Sequence, residues 1–314
     1  MADAIVEVSG LSKRFGGVPA VDDLSFTAQR GEILGLVGPD GAGKTTTLRV
    51  LAGILPADAG SVCVAGGDVV RDPEAAKSRI SYMPQQFGLY DDLTVDENIR
   101  FYAALFEVDA RTREPRATQL LAACGMSPFR RRLAGLLSGG MKRKLGLVCA
   151  LIHTPALLLL DEPTTGVDPV SRREFWGILY SLVFEGATVV ISTAYLDEAE
   201  RCHRLLLLHR GQRLFYGTPA GLKRMLPGAV LAVNTPEPQK LEAAIAGADG
   251  VLTAMAMGDA VDVVVDDPVR RIPEMRRRIE AAHLPFDDVT QLEASVEDAF
   301  VYAISHPEAR REAA

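Results

Sequence analysis

A glycine-rich loop at residues 38–46 has the clearest chemical pattern in the chain. It lies between an apolar run, residues 32–37, and a helical segment, residues 47–53. Glycines let successive backbone N–H groups turn toward phosphate oxygens, and the N-terminus of the next helix adds partial positive charge. Lys44 is predicted to reach the outer phosphates, and the Thr45 hydroxyl to ligate Mg²⁺. The predicted nucleotide-binding residues are Gly38, Pro39, Asp40, Gly41, Ala42, Gly43, Lys44, Thr45 and Thr46.

A pair of carboxylates forms the second pattern, directly after the apolar run at residues 157–160. Because neighbouring side chains on a strand point in opposite directions, the two carboxylates can have different tasks. We predict that Asp161 lies at Mg²⁺ and that Glu162 orients or deprotonates the attacking water. A solvated acidic turn is the alternative interpretation, and the loop at residues 38–46 argues against it.

A serine and two glycines form the third pattern, just before a helical segment at residues 141–151. Serine is a good helix N-cap, and capping alone would explain Ser138. Exposed N–H groups at a helix N-terminus also make an anion site. The functional interpretation is therefore that Ser138, Gly139 and Gly140 bind a phosphate.

Short apolar strands that alternate with helices must position these three patterns. The runs at residues 157–160 and 188–192 are typical of parallel strands buried on both faces. Their alternation with helices predicts a parallel sheet with right-handed crossovers. Residues 94–140 have helical periodicity and are predicted to form a helical subdomain. Further strands are expected at residues 4–8, 24–28, 80–84 and 205–208, with a turn-rich connection at residues 11–17.

The pattern changes near residue 220, which predicts two domains, residues 1–220 and residues 221–314. The second domain has the order βαββαβ, which predicts a small ferredoxin-like α+β domain. Its expected strands are residues 229–234, 251–256, 260–265 and 286–289, and its expected helices are residues 238–246, 270–282 and 296–304.

Composition limits the classes of partner and compartment. The chain has 314 residues and a net charge of −7, so no nucleic-acid partner is expected. Its four cysteines are widely spaced and form no C-x-x-C motif, which fits a reduced, cytoplasmic compartment. The N-terminal sequence lacks the features of a signal peptide, and no apolar run has the length of a bilayer. Any membrane role is therefore expected to depend on partner proteins.

Together the three patterns resemble those of the ATP-binding subunits of ABC transporters. Residues 38–45 resemble the Walker A motif, and residues 157–162 resemble Walker B. Residues 137–141 resemble the family signature, with Met141 where Gln is commoner. The resemblance covers roughly residues 4–220.

Three further residues acquire roles from this resemblance. Gln85 matches the Q-loop glutamine, which in the family contacts Mg²⁺ and the attacking water. Phe15 matches the aromatic residue that stacks on adenine, with a loop aromatic packed in the core as the alternative. Asp168 matches the D-loop residue that helps to join two protomers.

The resemblance also implies a fold, an activity and partners. The expected fold is an α/β P-loop NTPase domain with an antiparallel β subdomain and a helical subdomain, and the expected cofactors are ATP and Mg²⁺. In the family two cassettes sandwich two ATP molecules, so a homodimer or heterodimer is implied. Residues 294–300 resemble the ending of subunits that serve ABC-2 type permeases, in particular those for multidrug export.

The expected function follows from that placement. We expect an ATP hydrolase that powers export from the inner face of the cell membrane, with the permease contacting residues 85–98. A soluble nucleotide-sensing ABC protein with little or no hydrolysis, not tied to transport, is the alternative.

Two departures from the family pattern bear on the expected activity. Ala194 stands where the family has its switch histidine, and a methyl group cannot donate a hydrogen bond to a phosphate. Neither His203 nor His209 is at the matching place. Asp40 replaces the usual Asn and adds a carboxylate near the phosphates, which is unfavourable unless it points away. Slow hydrolysis, or asymmetry between two cassettes, is compatible with these changes.

Overall fold

The computed structural model describes residues 4–306, which form two compact units with a boundary between Tyr216 and Gly217. The strands up to that boundary are β1 (Ala4–Phe15), β2 (Val18–Gln29), β3 (Ile33–Val37), β4 (Ala59–Val64), β5 (Gly67–Asp68), β6 (Ile80–Met83), β7 (Leu157–Asp161), β8 (Thr188–Thr193), β9 (Arg204–His209) and β10 (Gln212–Gly217). The helices of the first unit are α1 (Lys44–Leu51), α2 (Glu74–Lys77), α3 (Val95–Leu105), α4 (Ala110–Ala123), α5 (Gly139–Leu151), α6 (Pro169–Phe184) and α7 (Leu196–Ala199). Within residues 4–306, no helix combines the length and the apolar character that crossing a membrane requires.

A six-stranded sheet, in the order β10-β9-β3-β8-β7-β6, forms the centre of the first unit. The pairs β9–β3, β3–β8, β8–β7 and β7–β6 are parallel. Every residue of β3, β7 and β8 is buried, as expected for strands covered on both faces. The carboxyl ends of these strands therefore meet at one edge, where the loop after β3 begins α1.

A second, antiparallel sheet in the order β2-β1-β4-β5 corrects the predicted strand ends. The turn-rich connection predicted at residues 11–17 is wrong, because β1 continues to Phe15 and β2 starts at Val18. Only Gly16 and Gly17, both with positive φ, make the turn. The pairing of β1 with β2 continues through several register shifts, and Leu11 and Lys13 are buried in the middle of that segment.

Residues 94–140, where a helical subdomain is predicted, contain α3, α4 and the start of α5. The Thr94 hydroxyl accepts from the Glu97 N–H at 3.2 Å, and the Glu97 carboxylate accepts from the Thr94 N–H at 2.8 Å, so α3 starts with a capping box. Arg130 forms ion pairs with Asp96 at 2.8 Å and Glu114 at 2.6 Å. These pairs connect α3 to α4, and both helices pack against α5, which contacts β6 of the parallel sheet.

The second unit consists of α8 (Pro219–Lys223), β11 (Ala229–Asn234), α9 (Pro238–Ile245), β12 (Val251–Met257), β13 (Ala260–Val265), α10 (Pro268–Ala281), β14 (Val289–Leu292) and α11 (Val296–Ser305). Its sheet has the order β12-β13-β11-β14, and its neighbouring strands are antiparallel, which is the ferredoxin-like arrangement. The last strand, predicted at residues 286–289, is wrong by three residues at each end. Val289 starts the ladder opposite Val233, whereas Phe286 precedes it and packs against the core.

Candidate nucleotide-binding site

In the loop at residues 38–46, the Lys44 ammonium is hydrogen-bonded to backbone carbonyls of the same loop. Lys44 is buried, and its Nζ donates to the Gly38 carbonyl at 2.8 Å and the Pro39 carbonyl at 3.2 Å. It also forms an ion pair with Glu162 at 3.1 Å. Gly43 caps α1 with φ of 103°, a conformation that favours glycine. These contacts and the Gly43 cap fix the positions of the Lys44 ammonium and the start of α1.

Asp161 ends β7 in a ring of hydroxyl groups. Its Oδ1 accepts from Thr45 Oγ1 at 2.9 Å and from Ser192 Oγ at 2.7 Å. Its Oδ2 accepts from the Tyr82 hydroxyl at 3.1 Å. The carboxylate is 1% exposed, and hydrogen bonds are what keeps a buried carboxylate satisfied. Thr45 and Asp161, two of the three residues predicted at Mg²⁺ with Gln85, thus lie side by side.

Glu162 lies beyond the end of the strand. The prediction that strand alternation points the Asp161 and Glu162 side chains in opposite directions is therefore wrong. The strand ends at Asp161, and Glu162 has φ of 45°, so the alternation of a strand does not direct its side chain. The Gln85 amide donates to Glu162 Oε2 at 3.2 Å, and the Thr165 hydroxyl donates to the same oxygen at 3.3 Å. Left-handed backbone at a residue other than glycine is uncommon and is concentrated at functional sites.

A cavity of about 440 Å³ lies over this loop. Phe15 is half exposed on its wall, and Asp40 is exposed on its rim. The size suits a small-molecule ligand, and Gly43 explains part of the shape, because a Cβ there would lie 2.5 Å from the Ala20 carbonyl. The lining consists of residues 40–46 with Phe15, Ala20, Gln85 and Glu162.

The residues at the cavity fit Mg²⁺ held together with a phosphate. Among residues 4–306 there is no group of three or more His, Cys, Asp or Glu side chains arranged for a metal ion. Mg²⁺ needs no such cage, because it usually takes one or two carboxylates, substrate phosphates and waters. Asp161 and Thr45 supply a carboxylate and a hydroxyl, which matches that donor set.

The signature residues lie outside this cavity. Ser138 caps α5 and accepts from the Met141 N–H at 3.3 Å, while Asp168 caps α6 and accepts from the Ser171 N–H at 2.9 Å. Hydrogen bonds from Ser171 hold the pKa of Asp168 below its usual value. Gly140 lies against α6, where a Cβ would come within 2.8 Å of Ser171 Oγ. The predicted signature and D-loop residues therefore share one surface, separate from the lining described around the loop.

No histidine side chain is available at position 194, where the family has its switch histidine. Ala194 is exposed and follows the carboxyl end of β8. His203 lies at the other end of the sheet, where its Nδ1 accepts from the Ile33 N–H at 3.0 Å. His203 therefore does not replace the missing donor at position 194.

Sequence reasoning missed several residues that hold the site together. Tyr82 and Ser192 contact Asp161 and lie on β6 and β8, the two neighbours of β7. Arg143 on α5 donates to the Gln85 carbonyl. The available signal was position alone, since residues at the carboxyl ends of adjacent parallel strands meet at one edge.

These features define a cassette with a phosphate-binding loop, and the comparisons with known proteins agree. A family profile described as "ABC transporter" matches residues 21–165. The chain is 48% identical over 238 residues to the probable multidrug ABC transporter ATP-binding protein YbhF of Escherichia coli, covering 75% of this chain and 41% of that protein. This chain therefore spans about two fifths of the length of YbhF.

Two further similarities extend over more of the matched proteins. The chain is 36% identical over 311 residues to the daunorubicin/doxorubicin resistance ATP-binding protein DrrA of Streptomyces peucetius, with 96% of this chain and 93% of DrrA covered. A solved structure described as an ATP-binding subunit of an ABC transporter aligns with a TM-score of 0.64 at 30% identity, covering 70% of this chain and 92% of that one. The chain belongs to the family of ABC transporter ATP-binding subunits.

Proposed function

We propose that the chain hydrolyses ATP and thereby powers export through an ABC-2 type membrane permease. The observation that carries this proposal is the position of Glu162 between Lys44 and Gln85, at the wall of the loop cavity. A carboxylate placed there can orient or deprotonate a water for attack on the terminal phosphate. The proposed product pair is ADP and inorganic phosphate.

Residues in and around the loop have separate roles in the proposed catalysis. Lys44 and the N–H groups at the start of α1 bind the outer phosphates, and Phe15 stacks on adenine. Gln85 holds Glu162 toward the water, and Thr45 and Asp161 would hold Mg²⁺. The ion would neutralise charge that develops on the phosphates during transfer.

A second cassette completes each site in this proposal. Ser138, Gly139 and Gly140 at the N-terminus of α5 bind the terminal phosphate held by the partner cassette, and Asp168 lies at the junction. Two bound ATP molecules then hold the dimer closed, and hydrolysis releases it. A homodimer and a heterodimer are both compatible with this surface.

The proposal of export draws on relatives and on the permease-facing stretch, residues 85–98. DrrA is named for daunorubicin and doxorubicin resistance, and YbhF is named as a probable multidrug transporter subunit. Asn98 is fully buried, and its amide donates to the Tyr90 and Leu93 carbonyls at 3.0 and 3.2 Å. We propose that these bonds shape the stretch as a docking surface on the inner face of the membrane.

ATP turnover by the purified chain tests the proposal. The Glu162→Gln variant is expected to lose turnover by on the order of 10²-fold or more while it still binds ATP, because the amide cannot accept the proton. Glu174→Gln is a matched control, since Glu174 pairs with Lys144 at 2.5 Å away from the loop and the variant is expected to turn over normally. Equal turnover by Glu162→Gln and the wild type would contradict the assignment of Glu162.

The alternative, a nucleotide sensor, predicts a different pair of results. It requires tight ATP binding by the wild type with turnover no higher than that of Glu162→Gln. Copurification with a membrane permease would separate a transport subunit from such a sensor. Ala194 is the observation that makes this comparison necessary.

A further inference from the structure

Asp161 is held by an unequal set of donors. Its Oδ1 has two hydroxyl donors, and one of them, Thr45, is itself a predicted Mg²⁺ ligand. Its Oδ2 has one donor among the described residues, the Tyr82 hydroxyl at 3.1 Å. Lys44, the nearby buried cation, is paired with Glu162 instead. The orientation of the Asp161 carboxylate plane therefore depends on Tyr82 at one oxygen.

Tyr82 is built into the fold as a fixed donor. It lies on β6, in register with Leu159 of β7, so the two strands fix the separation between the phenol and Asp161. The Tyr82 hydroxyl therefore donates to Asp161 Oδ2 from a position that the sheet fixes.

We propose that Tyr82 is a positioning residue for Mg²⁺, which it aligns through Asp161 without touching the ion. By holding Oδ2, it turns Oδ1 toward the Thr45 hydroxyl, so the two ligands face one point. Rotation about the terminal bond of an aspartate side chain is only weakly restrained, so the carboxylate needs such a partner. Removal of a group that orients a metal ligand typically weakens metal affinity by roughly 10- to 100-fold. The inference rests on the proposed ATP and Mg²⁺ site.

The test measures metal binding without turnover. The full chain is saturated with a non-hydrolysable ATP analogue, and Mn²⁺ affinity is measured by electron paramagnetic resonance. Tyr82→Phe is expected to raise the Mn²⁺ Kd by roughly tenfold or more. Its affinity for a fluorescent ATP analogue in EDTA is expected to match that of the wild type. Tyr180→Phe is the matched control. Tyr180 lies on α6, and its hydroxyl donates to the Arg201 carbonyl at 2.9 Å, so this variant is expected to change neither affinity.

Several outcomes would overturn the inference. An unchanged Mn²⁺ Kd in Tyr82→Phe would show that the hydroxyl does not align the ligand. An equal loss of affinity with and without metal would show a general disturbance of the site, as would a similar change in Tyr180→Phe. Failure of the wild type to bind Mn²⁺ with nucleotide would overturn the metal site itself. If the wild type bound Mn²⁺ with nucleotide but neither hydrolysed ATP nor supported transport, that result would count against the proposed function alone.

Discussion

Ala194 stands at the carboxyl end of β8, directly after Thr193. Thr193 is occupied by the local fold, because its hydroxyl donates to Glu198 at 2.8 Å and accepts from the Tyr195 N–H at 3.0 Å. Tyr195 is itself packed under Arg172, whose guanidinium lies 4.3 Å from the ring centre. These contacts fix the loop around position 194 but supply no hydrogen-bond donor from the alanine itself. The backbone at position 194 is therefore held in place, but the alanine there has no side-chain donor.

Replacement of this residue gives a prediction at the scale of one side chain. Ala194→His is expected to raise ATP turnover by roughly tenfold or more, because one donor to a transition-state phosphate is worth on the order of 10²–10³ in rate. Turnover of the purified variant is the measurement. The double variant with Glu162→Gln is the control and should stay inactive, since the added donor cannot replace the base. No gain in Ala194→His would mean that the site does not use a donor from this position.

The P-loop shows how one backbone position sets the geometry of an element. Gly43 lies in the loop directly before α1, which it caps, and it also lies against β2, where a Cβ would come within 2.5 Å of the Ala20 carbonyl. Gly41 has φ of 77°, but a Cβ there would meet no described atom within 4 Å. The two glycines therefore differ in contact with β2, while both have backbone that disfavours other residues.

This difference predicts unequal losses of stability. Gly41→Ala is expected to lower the free energy of unfolding by about 1 kcal/mol, from backbone strain alone. Gly43→Ala is expected to lower it by about 3 kcal/mol or more, because strain and overpacking add. Urea unfolding without nucleotide measures both variants. Equal losses would show that α1 shifts away from β2 without penalty.

The central strands of the first unit show which parts of the fold the sequence predicts well. The strands β3, β7 and β8 are buried throughout and each contains an apolar run, so their pattern identified them without knowledge of their neighbours. The end of β1 and the position of β14 were mispredicted, because their polar segments are defined by pairing with neighbouring strands rather than by an apolar run.

The site divides in the same way. Lys44, Thr45, Asp161 and Glu162 were found because their spacing along the chain is itself the chemical pattern. Tyr82 and Ser192 were missed because their contacts with Asp161 depend on β6 and β8 flanking β7. Strand order is a long-range property, and residues more than thirty positions apart give no local sign of it.

At the scale of the whole chain, the second unit combines an apolar core with an enclosed cluster of charges. The core of the second unit contains apolar residues of β11, β13, α9 and α10. Beside that core lies Arg271, whose side chain is 5% exposed. Its guanidinium pairs with Asp266 at 2.7 Å, Glu274 at 2.7 Å and Asp249 at 3.1 Å. A charge so enclosed makes this unit sensitive to the protonation of its partners.

The sign of that sensitivity follows from Asp266. Hydrogen bonds from Arg271 lower the pKa of Asp266 from 3.8 to about 2. Because the folded-state pKa is the lower one, the stabilisation is complete above the unfolded value and is lost as the pH falls toward the folded value. The second unit is therefore expected to lose stability between about pH 4 and pH 2 through this group. The hydrogen bonds from Arg271 lower the pKa of Glu274 as well, and the effect has the same sign.

Unfolding of the full chain with two probes tests this prediction. The single tryptophan, Trp176, is buried in α6, so its fluorescence reports the first unit, whereas circular dichroism reports both. Arg271→Met is expected to weaken the dichroism transition assigned to the second unit at pH 7 and to reduce its further loss between about pH 4 and pH 2, while the fluorescence transition stays in place. Arg276→Met is the matched control, because Arg276 pairs with Asp288 at 2.5 Å on the surface of the same unit and is expected to have the smaller effect. If Arg271→Met retained the acid sensitivity of the wild type, the carboxylates around Arg271 would not be its source.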